Sequence, residues 1–423
     1  MARRSLLVSA ALIAGLAPLS VASAAPKAQR TTISTKVING DTVVKEATIT
    51  ATTFSHAGPY AVGIDAFSYP VPATTLTPSG YTTTADCWYP STKTTGKALI
   101  YNVENELPPT IAFIVSKNPA AASAATYSTQ GVVGLPAAAG TFPLVLFSHG
   151  FASFKEQSSF LMAHLAQWGF VACAPDHAGR DLSAELDATI NATPPTTDPN
   201  ADVQDLVALR GYLAGGKVTP LKGHVDGNHV VVMGHSAGGS AAERLASWGT
   251  AQGASGQSDW IKGWVSMAGE SSPTAKQTLA PFTTVPVQPG LVIAGQNDTV
   301  VPAAGLATAF TELTAPSNFL ELASAGHNAY DEICEIGNGD GGIIAIAKDL
   351  GISVPAQLVP LATDGCSAPD VAPTADRPLL DQITVAAARH FLGFDASTVG
   401  FAKPATLQAA YPNLIATEYP NAG

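Results

Sequence analysis

The stretch 228–248 constrains the fold of this chain more than any other part of the sequence. It begins with an apolar, β-branched run at 230–233, which is typical of a strand that is buried on both faces. It then turns through Gly-His-Ser-Ala-Gly and continues as a helix-forming run that begins with small residues. The pattern G-x-S-x-G between a strand and a helix holds its serine on a strained turn. Side chains at Gly234 and Gly238 would collide with the backbone of that turn, so both positions call for glycine.

Ser236, at the centre of the turn, is the candidate nucleophile. A serine hydroxyl is a weak nucleophile at neutral pH, so it needs a base within hydrogen-bond reach and a carboxylate that orients the base. When a serine sits on such a turn, both partners follow it in the chain, on loops after later strands. Asp298 follows one strand-like apolar run and His327 follows the next. Glu270, after an earlier strand, is an alternative acid.

Acyl transfer also needs hydrogen-bond donors for the oxyanion that forms in the reaction. The backbone N–H of Ala237, directly after the serine, is one candidate. The loop after the apolar run 142–147 is expected to supply the second donor, from the backbone of Phe151. His149 in the same loop is expected to brace it by hydrogen bonding and not to transfer protons.

Strand-like runs alternate with helix-like runs along most of the chain, which predicts an α/β fold with a mostly parallel central sheet and helices on both faces. A hairpin turn is predicted at Asn39-Gly40, within a β-rich N-terminal extension. The segment 91–141 has no clear pattern, and 178–200 is predicted to be a surface loop. The predicted strands are 81–90, 142–147, 170–174, 230–233, 261–268, 290–294 and, as the last one, 318–322, and the helices include 203–213, 302–313 and 380–391.

The first 24 residues have the pattern of a secretory signal peptide. An arginine pair precedes a short apolar run and an Ala-Ser-Ala site, which predicts cleavage after Ala24. No later apolar run is long enough to span a bilayer, so we expect a secreted or periplasmic protein without a transmembrane segment. The expected organisation is a signal peptide (1–24), a β-rich extension (25–80), a hydrolase domain (81–394) and a C-terminal tail (395–423).

The charge of the chain argues against nucleic acid as a partner, because the formal net charge is −11 and basic residues form no cluster. No cofactor and no metal are expected, and the sequence does not determine the oligomeric state. A calcium site is conceivable in one acidic segment, but its spacing matches no EF-hand and a solvated acidic loop is favoured. That segment contains Asp331, Glu332, Glu335 and Asp340.

The chain has 4 cysteines, and an exported protein favours disulfides. Cys334 and Cys366 flank a glycine-rich stretch, so a bridge between them would close that loop. Cys87 and Cys173 each lie in a predicted strand, where they could equally be two small buried apolar residues. None of the four has the spacing of a zinc or redox site.

Several motifs together resemble one group of proteins. They are Gly-Pro-Tyr-Ala-Val-Gly at 58–63, Trp-Tyr-Pro at 88–90, Phe-Ser-His-Gly-Phe at 147–151, Ala-Pro-Asp-His at 174–177 and Gly-His-Ser-Ala-Gly-Gly at 234–239. The chain resembles the secreted bacterial esterases and lipases related to dienelactone hydrolases and platelet-activating-factor acetylhydrolases, within the α/β-hydrolase superfamily. This resemblance implies that Ser236 is the nucleophile and that Phe151 and Ala237 form the oxyanion hole.

The chain also departs from these relatives. The acetylhydrolases carry their acid after the strand that follows the serine, where this chain has no aspartate between Val265 and Glu270. Asp298 occupies the position that is usual for the superfamily, as in cutinase-like enzymes that cleave polyesters. Dienelactone hydrolases proper use a cysteine nucleophile, which is absent from the turn at Ser236.

These residues predict a secreted serine hydrolase that cleaves carboxylic esters through a Ser-His-Asp triad and an acyl-enzyme intermediate. A peptidase or amidase with the same triad, or a polyester hydrolase, is the alternative. A non-catalytic binding protein is disfavoured because all three triad positions are filled. The substrate is expected to be a small-molecule or lipid ester, and its acyl-chain length and alcohol remain open.

Overall fold

A computed structural model of the chain describes residues 33–46, 48–74, 77–251, 259–269, 286–313, 316–413 and 415–420. The predicted signal peptide (1–24) and the alternative acid Glu270 lie outside these ranges. The strands are β1 (Thr35–Ile38), β2 (Asp41–Val44), β3 (Ala61–Val71), β4 (Tyr81–Ser91), β5 (Ala98–Asn102), β6 (Thr126–Val133), β7 (Phe142–Ser148), β8 (Val171–Pro175), β9 (Val225–His235), β10 (Ile261–Met267), β11 (Gly290–Gly295), β12 (Ser317–Leu322) and β13 (Ile415–Pro420).

The helices separate most of these strands, as the alternating pattern predicts. They are α1 (Pro109–Ser116), α2 (Pro119–Ala124), α3 (Ser159–Gln167), α4 (Leu182–Ile190), α5 (Asp202–Ala214), α6 (Ala237–Ala251), α7 (Ala303–Phe310), α8 (Gly342–Asp349), α9 (Val359–Thr363), α10 (Pro373–Phe391) and α11 (Pro404–Ala410). Helix α3 packs against α10 and α5 packs against α6, and both pairs cover strands of the central sheet. Among the described residues, no helix combines the length and the hydrophobicity needed to cross a bilayer.

Within the described ranges, the central sheet has 11 strands in the order β13-β12-β11-β10-β9-β7-β8-β4-β3-β6-β5. The six strands from β12 to β8 run parallel, and β4 and β13 flank them antiparallel. Every residue of β7, β8 and β11 is buried, as expected for parallel strands covered on both faces. The predicted α/β-hydrolase fold is therefore confirmed. The carboxyl ends of the parallel strands share one edge of the sheet, and the loops there carry the candidate site residues.

The structure differs from the sequence prediction in three places. Strand β12 is not the last, because β13 pairs antiparallel with it at the edge of the sheet. The predicted surface loop at 178–200 contains α4, on which Leu186 is buried. The unassigned segment 91–141 forms β5, α1, α2 and β6. In each place the burial of apolar side chains against distant segments outweighs a weak local pattern.

The N-terminal region contributes to both sheets. Strands β1 and β2 form the predicted hairpin, and Asn39 and Gly40 both have positive φ, as a tight two-residue turn requires. Strand β3, within the expected extension 25–80, pairs with β4 along its whole length and so belongs to the central sheet. The boundaries between the four expected segments stay a prediction.

Two disulfides are present. Cys87 and Cys173 face each other on neighbouring strands β4 and β8 and are bridged, so they are not simply two buried apolar residues. Cys334 and Cys366 are bridged as the sequence suggested, and the bridge closes the insertion between them. Both disulfides fit an oxidising compartment.

The turn between β9 and α6 has the tight geometry that the G-x-S-x-G pattern predicts. Ser236 has φ +55°, in the left-handed region that a side chain rarely adopts. A Cβ on Gly234 would lie 2.1 Å from the carbonyl oxygen of Gly238. A Cβ on Gly238 would lie 1.9 Å from the carbonyl oxygen of Ser148, at the end of β7. The predicted need for glycine at both positions is confirmed.

We predict that Gly238→Ala destabilises the protein by about 3 kcal/mol or more, because the new methyl group overlaps buried backbone that has no room to move. Gly211→Ala is the matched control, since a Cβ on this glycine of α5 meets no atom within 4 Å. The control should gain roughly 0.5–1 kcal/mol from the better helix propensity of alanine. Urea unfolding measures both changes, and equal stability of the two variants would contradict the prediction.

Candidate active site

Three side chains from different loops meet at the carboxyl edge of the sheet. Ser236 follows β9, Asp298 follows β11 and His327 follows β12. His327 Nε2 lies 3.0 Å from Ser236 Oγ, and His327 Nδ1 lies 2.9 Å from Asp298 Oδ2. With its proton on Nδ1, the imidazole donates to the carboxylate and faces the serine hydroxyl with an unprotonated nitrogen. The structure therefore brings the three residues into one hydrogen-bonded line.

The backbone holds the carboxylate of Asp298 in place. Its second oxygen, Oδ1, accepts the N–H groups of Val300 and Val301 at 2.9 and 2.7 Å. The Asp298 side chain is buried, so these two bonds supply the partners that a buried carboxylate needs. These bonds orient the other oxygen, Oδ2, towards His327 Nδ1.

Asp364, which the sequence reasoning missed, connects the loops of Asp298 and His327. Its Oδ1 accepts the backbone N–H of His327 at 2.5 Å, and its Oδ2 accepts that of Thr299 at 3.1 Å. Its own carbonyl oxygen accepts the N–H of Asn328 at 3.1 Å. No local pattern could identify this residue, because it lies 37 positions after His327, inside an insertion.

The loop after β7 lies directly against the turn at Ser236. A Cβ on Gly150 would lie 3.4 Å from the Cβ of Ser236. The N–H of Gly150 donates to Gln157 Oε1 at 2.8 Å, and the N–H of Ala152 donates to the carbonyl oxygen of Arg180 at 3.0 Å. Phe151 lies between these two occupied positions, and its side chain is exposed.

Gln157 links this loop to the turn at Ser236. While its Oε1 accepts the Gly150 N–H, its Nε2 donates to His235 Nδ1 at 3.0 Å. His235 Nε2 in turn donates to the carbonyl oxygen of His327 at 2.9 Å. Burial lowers the pKa of His235 well below its usual value, so this histidine is neutral and takes both roles at once. One amide side chain thus connects three loops of the site.

Arg180 holds the same loop from the other side. Its guanidinium donates to the carbonyl oxygen of Gly150 at 2.8 Å and also to that of His149. It donates further to Ser148 Oγ at 2.8 Å and pairs with Asp202 Oδ2 at 3.3 Å. The sequence predicts that Arg180 lies on a surface loop, whereas it is buried. The buried pairing compensates the cost of removing its charge from water.

A second hydrogen-bonded series of serine, histidine and aspartate side chains lies beneath this loop. Ser148 Oγ is 2.8 Å from His177 Nε2, and His177 Nδ1 is 2.8 Å from Asp205 Oδ2. These three residues are at most 1% exposed, compared with 7% for Ser236, so no substrate reaches Ser148. Burial lowers the pKa of His177, which keeps it neutral and able to connect the other two. These three side chains therefore support the loop and do not take part in catalysis.

His149 hydrogen-bonds within this loop, as the sequence reasoning expected. Its Nδ1 donates to the carbonyl oxygen of Gly150 at 2.7 Å, and its Nε2 accepts the N–H of His177 at 3.0 Å. Burial lowers its pKa to about 3. A histidine that is neutral and has both nitrogens occupied is a bracing residue and not a proton carrier.

The acidic segment after His327 is only in part the solvated loop that the sequence suggested, since Glu335 is exposed but two of the segment's carboxyls are not. Asp331 and Glu332 are buried, and burial raises the pKa of both carboxyls. Glu332 Oε2 accepts the N–H of Phe160 at 3.1 Å, and Asp331 Oδ1 accepts that of Ile333 at 3.0 Å. Glu332 therefore connects the segment to α3, and Asp331 fixes the backbone of the segment itself.

One group among the described residues has the spacing of a metal site, at Asp41, Asp226 and His229. His229 Nδ1 lies 2.6 Å from Asp41 Oδ2 and 3.2 Å from Asp226 Oδ2. An Nδ1–H of His229 that donates to the neighbouring carboxylates accounts for this arrangement by hydrogen bonding. The group lies near the start of β9, whereas Ser236 follows the end of that strand.

Comparisons with known proteins give one family model and a set of similar solved structures. The model of a family described as Chlorophyllase matches residues 113–253, which include Phe151, Ser236 and Ala237 and end before Asp298 and His327. No curated protein matches the sequence.

The solved structure of a ferulic acid esterase from Streptomyces cinnamoneus is similar to this chain over most of its length. It superposes with a TM-score of 0.57 at 18% identity and covers 87% of this chain and 98% of its own. At this level of identity the similarity establishes the fold.

Proposed function

We propose that the protein hydrolyses carboxylic esters with Ser236 as nucleophile, His327 as general base and Asp298 as the acid that orients the base. The observation that carries this proposal is the hydrogen-bonded line in which His327 reaches Ser236 Oγ at 3.0 Å and Asp298 Oδ2 at 2.9 Å. These are the distances over which a proton passes between a nucleophile and its base.

In the first half of the reaction, Ser236 Oγ attacks the ester carbonyl while His327 Nε2 takes the hydroxyl proton. Asp298 stabilises the imidazolium that forms, because its Oδ2 already accepts the Nδ1 proton. His327 then returns the proton to the alcohol oxygen as the ester bond breaks, which leaves the acyl group on Ser236. In the second half, His327 activates a water molecule that releases the acid and regenerates the serine.

The oxyanion is stabilised by the backbone N–H groups of Ala237 and Phe151 in this proposal. The N–H groups of Gly150 and Ala152 already have acceptors, which leaves that of Phe151 as the donor from this loop. Arg180 and Gln157 hold the loop on both sides, so the donor is oriented before the substrate binds. Such preorganisation avoids a reorganisation cost in the transition state.

We also propose that the protein is secreted after cleavage behind Ala24. The bridges Cys87–Cys173 and Cys334–Cys366 support this, because disulfides persist in oxidising compartments. The basic and apolar start of the sequence supports it independently.

The nucleophile is tested by Ser236→Ala. Removing the hydroxyl should lower kcat for p-nitrophenyl acetate by about 10⁴-fold or more, and it should abolish labelling by a fluorophosphonate. Ser68→Ala, at an exposed serine of β3, is the matched control and should label like the wild type. Labelling of the Ser236→Ala protein at the wild-type rate would contradict the assignment. Turnover of a matched anilide and not of the ester would indicate an amidase.

The oxyanion donor is tested by a pair of substitutions at Phe151. Phe151→Pro removes the backbone N–H and should lower kcat for the acetate ester by about 10²–10³-fold. Phe151→Ala keeps the N–H and should therefore keep most of kcat. Circular dichroism checks that both variants are folded. Equal kcat values in two folded variants would exclude this N–H as a donor.

A further inference from the structure

An apolar cavity of about 170 Å³ lies beside the proposed site. Every described residue that lines it has an apolar side chain. Its wall begins at Phe151 and Ala152, in the loop that lies against Ser236. An apolar space of about 150 Å³ is enough to hold a benzene ring. The space therefore accepts several carbon atoms of an apolar group.

Three segments outside the parallel strands form the rest of the wall. The first is the region around α1 and α2, with Ile111 and Val115. The second is α4, with Leu182 and Leu186. The third and largest contribution comes from the insertion that the Cys334–Cys366 disulfide closes.

The insertion connects the cavity to His327, the general base of the proposed triad. Helix α9 contributes Leu361 and Ala362 to the wall, and it ends just before Asp364. Asp364 Oδ1 accepts the backbone N–H of His327 at 2.5 Å. The cavity is thus bounded by Phe151 on one side and by a helix joined to His327 on the other.

Part of the cavity wall is not fully buried. Helix α8 has no buried residue, and its isoleucines Ile343, Ile344 and Ile346 line the cavity while they remain partly exposed. When an apolar ligand covers partly exposed apolar side chains, the free energy falls because their apolar surface leaves the water. A charged or hydroxylated group in this space would have no side-chain partner for its polar atoms.

We propose that this cavity binds an aliphatic chain of the ester substrate, so that the enzyme favours esters with one long aliphatic chain over esters in which both parts are short. This inference rests on the proposed ester hydrolysis at Ser236. The inference depends on the position of the cavity next to Phe151. An aliphatic chain that fills the cavity is held beside the loop that faces Ser236 Cβ. Both an acyl chain and an alcohol chain have the required chemistry.

The specificity is tested by Ala347→Trp, which puts an indole into the cavity from α8. The ratio of kcat/KM for p-nitrophenyl dodecanoate to that for p-nitrophenyl acetate should fall at least tenfold. Ala345→Trp is the matched control, because Ala345 lies on the same helix and does not line the cavity. Its ratio should stay within twofold of that of the wild type. Thermal unfolding checks that both variants are folded.

Binding is tested without turnover, in the Ser236→Ala background. The fluorescence of cis-parinaric acid should rise on binding, and Ala347→Trp should weaken its affinity at least tenfold, whereas Ala345→Trp should not. Ethyl dodecanoate and dodecyl acetate, assayed in parallel with the wild type, distinguish an acyl chain from an alcohol chain as the occupant.

The two proposals fail in different ways. If Ala347→Trp turned over p-nitrophenyl dodecanoate relative to p-nitrophenyl acetate, and dodecyl acetate relative to ethyl acetate, with the same two ratios as the wild type, the cavity assignment would be overturned and the ester hydrolase would be left intact. A wild-type protein that turns over none of these esters would overturn the proposed function, and with it the assignment of the occupant as a substrate chain.

Discussion

The close approach between the turn at Ser236 and the loop after β7 is the constraint on which the rest of the site depends. At Gly238 the backbone comes so near the carbonyl oxygen of Ser148 that a Cβ would lie 1.9 Å from it. At Gly150 the loop passes beside Ser236 itself. Because these contacts are between backbone segments, they place the proposed nucleophile and the proposed oxyanion donor with little freedom for side chains to alter the arrangement.

Buried polar groups keep this arrangement in a single state. Arg180 binds two carbonyl oxygens of the loop, Gln157 binds one N–H, and the chain from Ser148 through His177 to Asp205 supports it from below. Each group is buried, so any other loop conformation would leave charges or hydrogen-bonding atoms without partners. Buried polar networks of this kind specify one structure when their members are satisfied. The strain at Ser236 is thus held by its surroundings and not by the turn alone.

The proposed catalytic residues and the proposed binding cavity come from different parts of the chain. The parallel strands carry Ser236, Asp298 and His327 on the loops at their carboxyl ends. The apolar cavity beside them is built from α1, α2, α4 and the disulfide-closed insertion, which lie outside the parallel strands. Segments of this kind vary without disturbing the sheet, so one scaffold can serve many substrates. Asp364 joins the two parts, since its carboxylate holds the backbone of His327.

The amino-acid sequence by itself determined the alternation of strands and helices, the glycines around Ser236 and the chain order of serine, acid and histidine, because each depends on residues near one another in the chain. Only the tertiary structure decided that Arg180, Gln157 and Asp364 hold the site, that Cys87 meets Cys173, and that the insertion closes over an apolar cavity. These features join segments that are far apart in sequence. No local pattern encodes which distant partner fills a buried hydrogen bond or completes a cavity wall, because that is settled only when the whole chain is packed.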